Sequence, residues 1–155
     1  MAGMQGLGRV FNVVPISTAG GAISMRDCSA ISFVTTGSSA VATLTIATSF
    51  GGTYRAGSFF SPAWAPITTV YCNTSTTGTV AWSKGTITAA ATFTHGSTTG
   101  LTASTTASIF KLFGSQMPAG YDYVKCTVTG SGIGAAILHD LTVQRAPASL
   151  AILSA

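Results

Sequence analysis

The sequence predicts an all-β protein, folded as a single antiparallel β-sandwich with either a jelly-roll or an immunoglobulin-like Greek-key topology. The chain consists of short stretches in which apolar and polar residues alternate, and turn residues separate these stretches. No stretch combines a sustained 3.6-residue apolar period with caps at both ends, so little or no helix is expected. The 155 residues are enough for one domain with a core of its own.

Three regions are predicted along the chain. Residues 1–15 are rich in glycine near their start and are predicted to form an extended N-terminal arm. Residues 16–145 are predicted to form the sandwich domain. Residues 146–155 follow as an apolar C-terminal tail, which needs a surface to dock on. Arm and tail are therefore expected to contact other subunits, while the sandwich faces outward.

The first pair of strands is predicted in SAISFVTT (29–36) and AVATLTIATSF (40–50). The turn residues 37–39 between them are typical of a hairpin. In the second strand the two-residue period places three apolar side chains on the core face, namely Ala42, Leu44 and Ile46.

The middle of the chain continues the strand pattern after an interruption. Pro62 and Pro66 bracket Trp64 and break regular structure. Further strands are then predicted in ITTVYCN (67–73), TVAWSKG (79–85), TITAAATFTHG (86–96) and ASIFKLFG (107–114).

The strand YVKCTVTG (123–130) follows a turn that includes Pro118, Gly120 and Tyr121. Cys126 shares one face of this strand with two valines, so it is interpreted as a small core hydrophobe. The position of Tyr121 is analogous to the tyrosine that closes a corner in Greek-key sandwiches.

The glycine cluster in TVTGSGIGAAILHDL (127–141) has the spacing G-x-G-x-x-A that also occurs in dinucleotide-binding turns. That motif needs a helix after the glycines and then a second parallel strand; a helix from Gly132 would meet Pro147 after about four turns, and no second parallel strand is expected to follow. The apolar residues after the cluster instead alternate at odd positions: Ala135, Ile137, Leu141 and Val143. The pattern favours the bend of a β-hairpin, followed by a half-buried strand.

The composition is unusually poor in charge. Only 6% of the residues are charged, against about 25% in an ordinary soluble domain, and there is no glutamate. Serine and threonine make up more than a quarter of the chain, so hydroxyl groups must cover most of its surface. Depletion of charge is typical of the buried centre of protein interfaces. An assembly subunit is therefore favoured, with an extracellular β-protein solubilised by hydroxyls or glycans as the alternative.

Charge and hydropathy also bear on partners. The net charge is +4, but the seven basic residues are scattered singly along the sequence, which argues against specific nucleic-acid binding. No uninterrupted apolar run approaches the roughly 18 residues that a membrane span needs, so no membrane partner is expected.

The residues that carry chemistry are few. The three cysteines are an odd number at long spacings without a CxxC pair, so neither a disulfide framework nor a zinc site is predicted. His139 and Asp140 are adjacent, and neighbouring strand residues point to opposite faces, so they are interpreted as a hydrogen-bonded histidine beside a surface aspartate. No enzyme activity, catalytic residue, cofactor or metal is predicted.

Aromatic residues supply an alternative function. A sugar-stacking platform on one sandwich face would make the protein a carbohydrate-binding, lectin-like module for adhesion to host surfaces. The candidate residues are Tyr54, Phe59, Phe60, Trp64, Tyr71 and Trp82. Such aromatics more often fill a core or an interface.

Three segments carry a resemblance to a known group of proteins. They are GLGRVFNVV near the start, MPAGYDYVK at 117–125 and ILHDLTVQRAPA at 137–148. In these segments the chain resembles small β-rich virion structural proteins of tailed phages that infect actinobacteria. The resemblance implies a structural protein of the phage head, either a decoration (cement) protein or a minor capsid protein, on the capsid surface of virions assembled in the host cytoplasm.

Several expectations about partners follow from this resemblance and from the composition. The partners are the major capsid protein and other copies of the chain in a symmetric homo-oligomer, for which a trimer is one arrangement. A tail or connector component remains an open alternative. The predicted partner-binding residues are Arg9, Phe11, Tyr121, Tyr123, Arg145, Leu150, Ile152 and Leu153.

Overall fold

The computed structural model describes residues 11–16, 18–26, 28–75, 80–101, 105–130 and 132–141. In these ranges the chain forms two antiparallel sheets that pack against each other, which confirms the predicted all-β sandwich. The only helical segments in these ranges are two single 3₁₀ turns, Gly57–Phe59 and Gly114–Gln116.

The strands, in chain order, are β1 (Phe11–Ile16), β2 (Ile23–Ser24), β3 (Ala30–Thr36), β4 (Val41–Ala47), β5 (Arg55–Ala56), β6 (Ile67–Asn73), β7 (Ser83–Ala90), β8 (Thr92–Thr94), β9 (Ala107–Phe113), β10 (Tyr123–Thr129) and β11 (Ile133–His139).

The strand order defines a jelly roll. The larger sheet has six strands in the order β1-β11-β3-β9-β6-β7, and the smaller has β2-β10-β4-β5, with β8 also paired to β4. The antiparallel pairs are nested: β1 with β11, β2 with β10, β3 with β9, and β4 with β8. A long hairpin of paired strands rolled into two sheets has this order, which selects the jelly roll over the immunoglobulin-like alternative. The β6–β7 hairpin widens the larger sheet beyond β9.

Two predicted hairpins are wrong. β3 and β4 flank residues 37–40 but lie in different sheets, and so do β10 and β11 around residues 130–132. Both turns therefore cross from one sheet to the other. Gly37 and Gly130 adopt φ angles of 124° and 79°, which favour glycine. Glycine-rich turns serve a hairpin and a crossing between sheets equally well, so the local sequence does not distinguish them. The described residues directly after the glycine cluster, 132–141, contain strand β11 where the dinucleotide-binding turn requires a helix, which excludes that turn.

The predicted orientation of β11 is also wrong. Ala136 and Leu138, at even positions, are buried in the core, whereas Ile137 is half-buried on the outer face and Ile133 is 71% exposed. Leu141 does pack against the core after the strand ends, and Val143 lies outside the described residues. Apolar residues occupy both faces of this strand, so the period alone does not show which face is inside.

Residues 11–15 belong to the sandwich and not to the predicted N-terminal arm. They form most of β1, which pairs along its whole length with β11. Val14 and Ile16 are buried in the core.

The core lies between the two sheets, and its centre is aromatic. The Phe33 and Phe110 rings stack at 5.1 Å between centroids, and the Phe93 ring meets Phe110 edge-on at 5.0 Å. The smaller sheet contributes the predicted face of β4 and the inner face of β10, which includes Cys126 as predicted. The fold is therefore held by a continuous apolar layer, and each sheet keeps one outer face.

Candidate interaction surfaces

A buried polar cluster lies inside the sandwich beside the turn at residues 37–40. The Nδ1–H of His95 donates to the carbonyl oxygen of Gly37 at 2.8 Å. Its Nε2 lies 3.0 Å from the Thr35 hydroxyl and 2.9 Å from the Ser108 hydroxyl, and these hydroxyls are 2.7 Å apart. Burial lowers the pKa of His95, against a smaller opposing effect of the Gly37 hydrogen bond. The imidazole is therefore neutral at pH 7 and accepts a hydrogen bond at Nε2.

This histidine–serine contact resembles a pair in which a base activates a nucleophile. Ser108 and Thr35 are fully buried, however, so their hydroxyls do not meet a substrate in this conformation. The backbone of His95 also donates to Ala40 O at 2.9 Å. The cluster thus fixes the turn between β3 and β4 to β8 and β9, which is a structural task.

His139 and Asp140 bear out their sequence interpretation. The Nε2 of His139 lies 2.7 Å from the Ser32 hydroxyl, and the exposed Asp140 carboxylate accepts a hydrogen bond from Ser29 Oγ at 2.7 Å. The two side chains have separate partners.

The cysteines are buried thiols. Cys126 is 1% exposed, and burial raises its pKa to about 12, so its thiol stays protonated and is a poor nucleophile in the folded state. Among the described residues, no group of three His, Cys, Asp or Glu side chains is placed to hold a metal ion.

The outer face of the smaller sheet is polar. Threonines occupy alternate positions of β4 and β10, for example Thr43 and Thr127. Lys125 places its Nζ 4.2 Å from the centroid of the Tyr54 ring. This face has the hydroxyl coating that the composition predicts.

The outer face of the larger sheet is different, because an apolar row crosses it. The register joins Pro15 to Ala135, Ala135 to Val34, Val34 to Ile109, and Ile109 to Tyr71. Three further apolar side chains on this face are about half exposed or more: Val13, Phe113 and Ile133. Exposed apolar patches of this kind mark interaction sites on soluble proteins. We call this surface the apolar face.

The alternation of residues along single strands does not reveal the apolar face. A usable signal exists in β9, where Ile109, Lys111 and Phe113 alternate with the buried side chains Phe110 and Leu112. Two of these three outward side chains are apolar, whereas an antiparallel strand with a solvated outer face normally alternates apolar and polar residues.

The aromatic residues of the predicted sugar platform do not all reach the surface. Trp64 is buried, and its Nε1–H donates to Gln116 O at 2.7 Å. Phe60 packs against the core. Tyr71 and Trp82, by contrast, are 47% and 44% exposed.

Of the predicted partner-binding residues, Arg9, Arg145, Leu150, Ile152 and Leu153 lie outside the described residues. Phe11 begins β1.

The two predicted tyrosines make contacts within the chain. The Tyr121 ring packs edge-on against Phe60 at 5.1 Å, and the Tyr123 ring lies 6.3 Å from that of Phe50. Tyr121 is partly buried against the core, so packing is its visible role. Tyr123 lies on the outer face of the smaller sheet, away from the apolar face.

Comparison with protein-family models, with curated proteins and with solved structures gives no match. A search of the described residues for a helix of the length and apolar character needed to cross a membrane finds none.

Proposed function

We propose that this protein is a structural component of a tailed-phage particle, a capsid decoration (cement) or minor capsid protein that binds the major capsid shell and stabilises it. The observation that carries the proposal is the apolar face, which contrasts with the threonine-lined outer face of the smaller sheet. A free monomer normally avoids such a surface, because it promotes association. A subunit of a shell buries it against neighbours.

Three further points support the proposal. Jelly rolls recur in viral capsid proteins, which is an argument from analogy of fold. The resemblance drawn from the segment GLGRVFNVV and from residues 117–125 and 137–148 implies the same role. The low charge also agrees with a protein that is covered on several sides.

Co-sedimentation with capsids that lack this protein tests the proposal. The purified protein should bind in stoichiometric numbers and raise the temperature at which the capsids break open. Light scattering coupled to size-exclusion chromatography should show a discrete homo-oligomer. A monomer that does not bind capsids would refute the proposal.

The C-terminal tail has its own test. We expect deletion of residues 146–155 to abolish incorporation into capsids and to leave the domain folded, as measured by circular dichroism. If the truncated protein is folded and still binds capsids fully, the tail is not part of the contact with the capsid.

A carbohydrate-binding module is the second candidate. Jelly rolls also occur in lectins, and Tyr71 and Trp82 leave aromatic rings exposed beside β6 and β7. Binding to a glycan array that is lost in Trp82→Ala would favour this function over the structural one. Thr86→Ala, an exposed position on β7, is the matched control.

A further inference from the structure

The apolar face contains a cleft with two positive charges. Tyr71 on β6 is paired with Lys84 on β7 on one side and with Ile109 on β9 on the other. Lys111 lies two residues beyond Ile109 on the same face. These side chains, with Phe113, line a cleft of about 360 Å³. The cleft thus combines aromatic walls with two ammonium groups.

The two lysines have no carboxylate partner on their own sheet. None of the six strands of the larger sheet contains Asp or Glu. The Lys111 Nζ lies 4.8 Å from the centroid of the Phe113 ring, a contact that leaves its charge available. The described acids are engaged elsewhere, since Asp122 accepts hydrogen bonds from Arg26, and Asp140 accepts one from Ser29.

The charge decides among the possible occupants. If two copies of the chain met with their clefts at a two-fold axis, lysines would approach lysines, which is unfavourable. A nucleic acid normally requires about six to ten phosphate contacts from one face, and this face has two lysines. A protein surface that presents carboxylates among apolar side chains complements both properties of the cleft.

We propose that the apolar face is the docking surface for a protein partner that inserts an Asp or Glu side chain between Lys84 and Lys111 and covers the apolar row with its own apolar side chains. This inference rests on the proposed function, within which the partner is the outer surface of the major capsid shell. The sandwich itself then makes the contact, in addition to any contact from the termini.

The test is quantitative co-sedimentation of the full-length protein with capsids that lack it. The double variant Lys84→Glu/Lys111→Glu should weaken binding by about tenfold or more, because carboxylates would then face carboxylates. Lys125→Glu is the matched control, since it makes a similar change on the outer face of the smaller sheet and should bind like the wild type. Wild-type binding should also weaken as salt concentration rises.

Circular dichroism checks that each variant is folded. If the Lys84→Glu/Lys111→Glu variant is not folded, the milder variant Lys84→Gln/Lys111→Gln replaces it. This variant should also bind capsids more weakly than the wild type.

The outcomes separate the inference from the proposed function. If the wild type binds capsids and the folded double variant binds equally well, or if only Lys125→Glu loses binding, the docking surface is overturned while the proposed function stands. If the wild type does not bind capsids, both are overturned. A homo-oligomer that dissociates in the double variant would assign the face to a second copy, and single-stranded DNA binding lost in the double variant would assign it to nucleic acid. Either result overturns the inference.

Discussion

Lowering the pH from about 7.5 to about 5.5 is expected to destabilise this protein through His95, in a window that lies above the ordinary titration range of carboxyl groups. Burial lowers the pKa of His95 in the folded protein, whereas the unfolded chain has the ordinary value near 6.5. Below pH 6.5 the unfolded chain therefore binds a proton that the folded protein excludes. The contribution of the neutral His95 side chain to stability is complete above pH 6.5 and is lost as the pH falls below 6.5.

The magnitude follows from the linkage between proton binding and folding. Each pH unit below 6.5 removes up to about 1.4 kcal/mol of unfolding free energy, until the pKa of the folded state is reached. With a urea dependence of roughly 1–3 kcal/mol per molar, one unit moves the unfolding midpoint by about 0.5–1.4 M. His95→Gln cannot titrate, so this part of the pH dependence should disappear in that variant.

Urea unfolding at the two pH values, followed by circular dichroism, measures this effect. His139→Gln is the matched control, because His139 is the other histidine, lies on the outer face and keeps the His95 cluster intact. It should retain the contribution of His95 to the pH dependence. The reasoning is refuted if the wild-type midpoint is the same at both pH values, or if His95→Gln loses as much stability as the wild type on acidification.

Three further predictions concern packing. Gly132→Ala should destabilise the domain by about 1–3 kcal/mol, because the new methyl group would lie 2.5 Å from a Val128 methyl. Gly51→Ala is the control: a methyl group at Gly51 would have nothing within 4 Å, so its effect should be within about 0.5 kcal/mol. Equal urea midpoints for the two variants would contradict this prediction. Phe110→Ala should cost about 3–5 kcal/mol in the same assay because it empties the aromatic centre of the core, and a cost under 1 kcal/mol would be inconsistent with that packing. Cys126 should not react with Ellman's reagent in the native protein, since its thiol is buried and its pKa is raised to about 12, and rapid labelling before unfolding would show that the site opens.

Local patterns predict most strands of this protein. The strand in ITTVYCN matches β6 at both ends, and the alternation in β4 identifies its core face correctly. These predictions succeed because the two-residue period records burial on one side of a strand.

The assignment of strands to sheets depends on pairing between distant segments. The turn residues at 37–40 predict that the chain reverses direction there, but they do not predict which strands pair. The partners of β3 are β9 and β11, which lie much later in the sequence. Likewise Lys84 and Lys111 are isolated bases in the sequence, and only the register through β6 brings them to one cleft. Their common surface is a property of the sheet, which the spacing of bases along the chain does not reveal.

The nested strand order has a consequence for how the protein folds. The outermost pair joins residue 11 to residue 139, and the pairs inside it are also distant in sequence. Each such pair requires a long loop to close, and the loss of chain entropy precedes the gain from strand pairing. Folding of this topology is therefore slow, and unpaired strand edges stay exposed while it proceeds. The β6–β7 hairpin is local, and we expect it to form early and the β1–β11 pair to form late. Under the proposed function, a shell would therefore bind copies of the chain that have already folded.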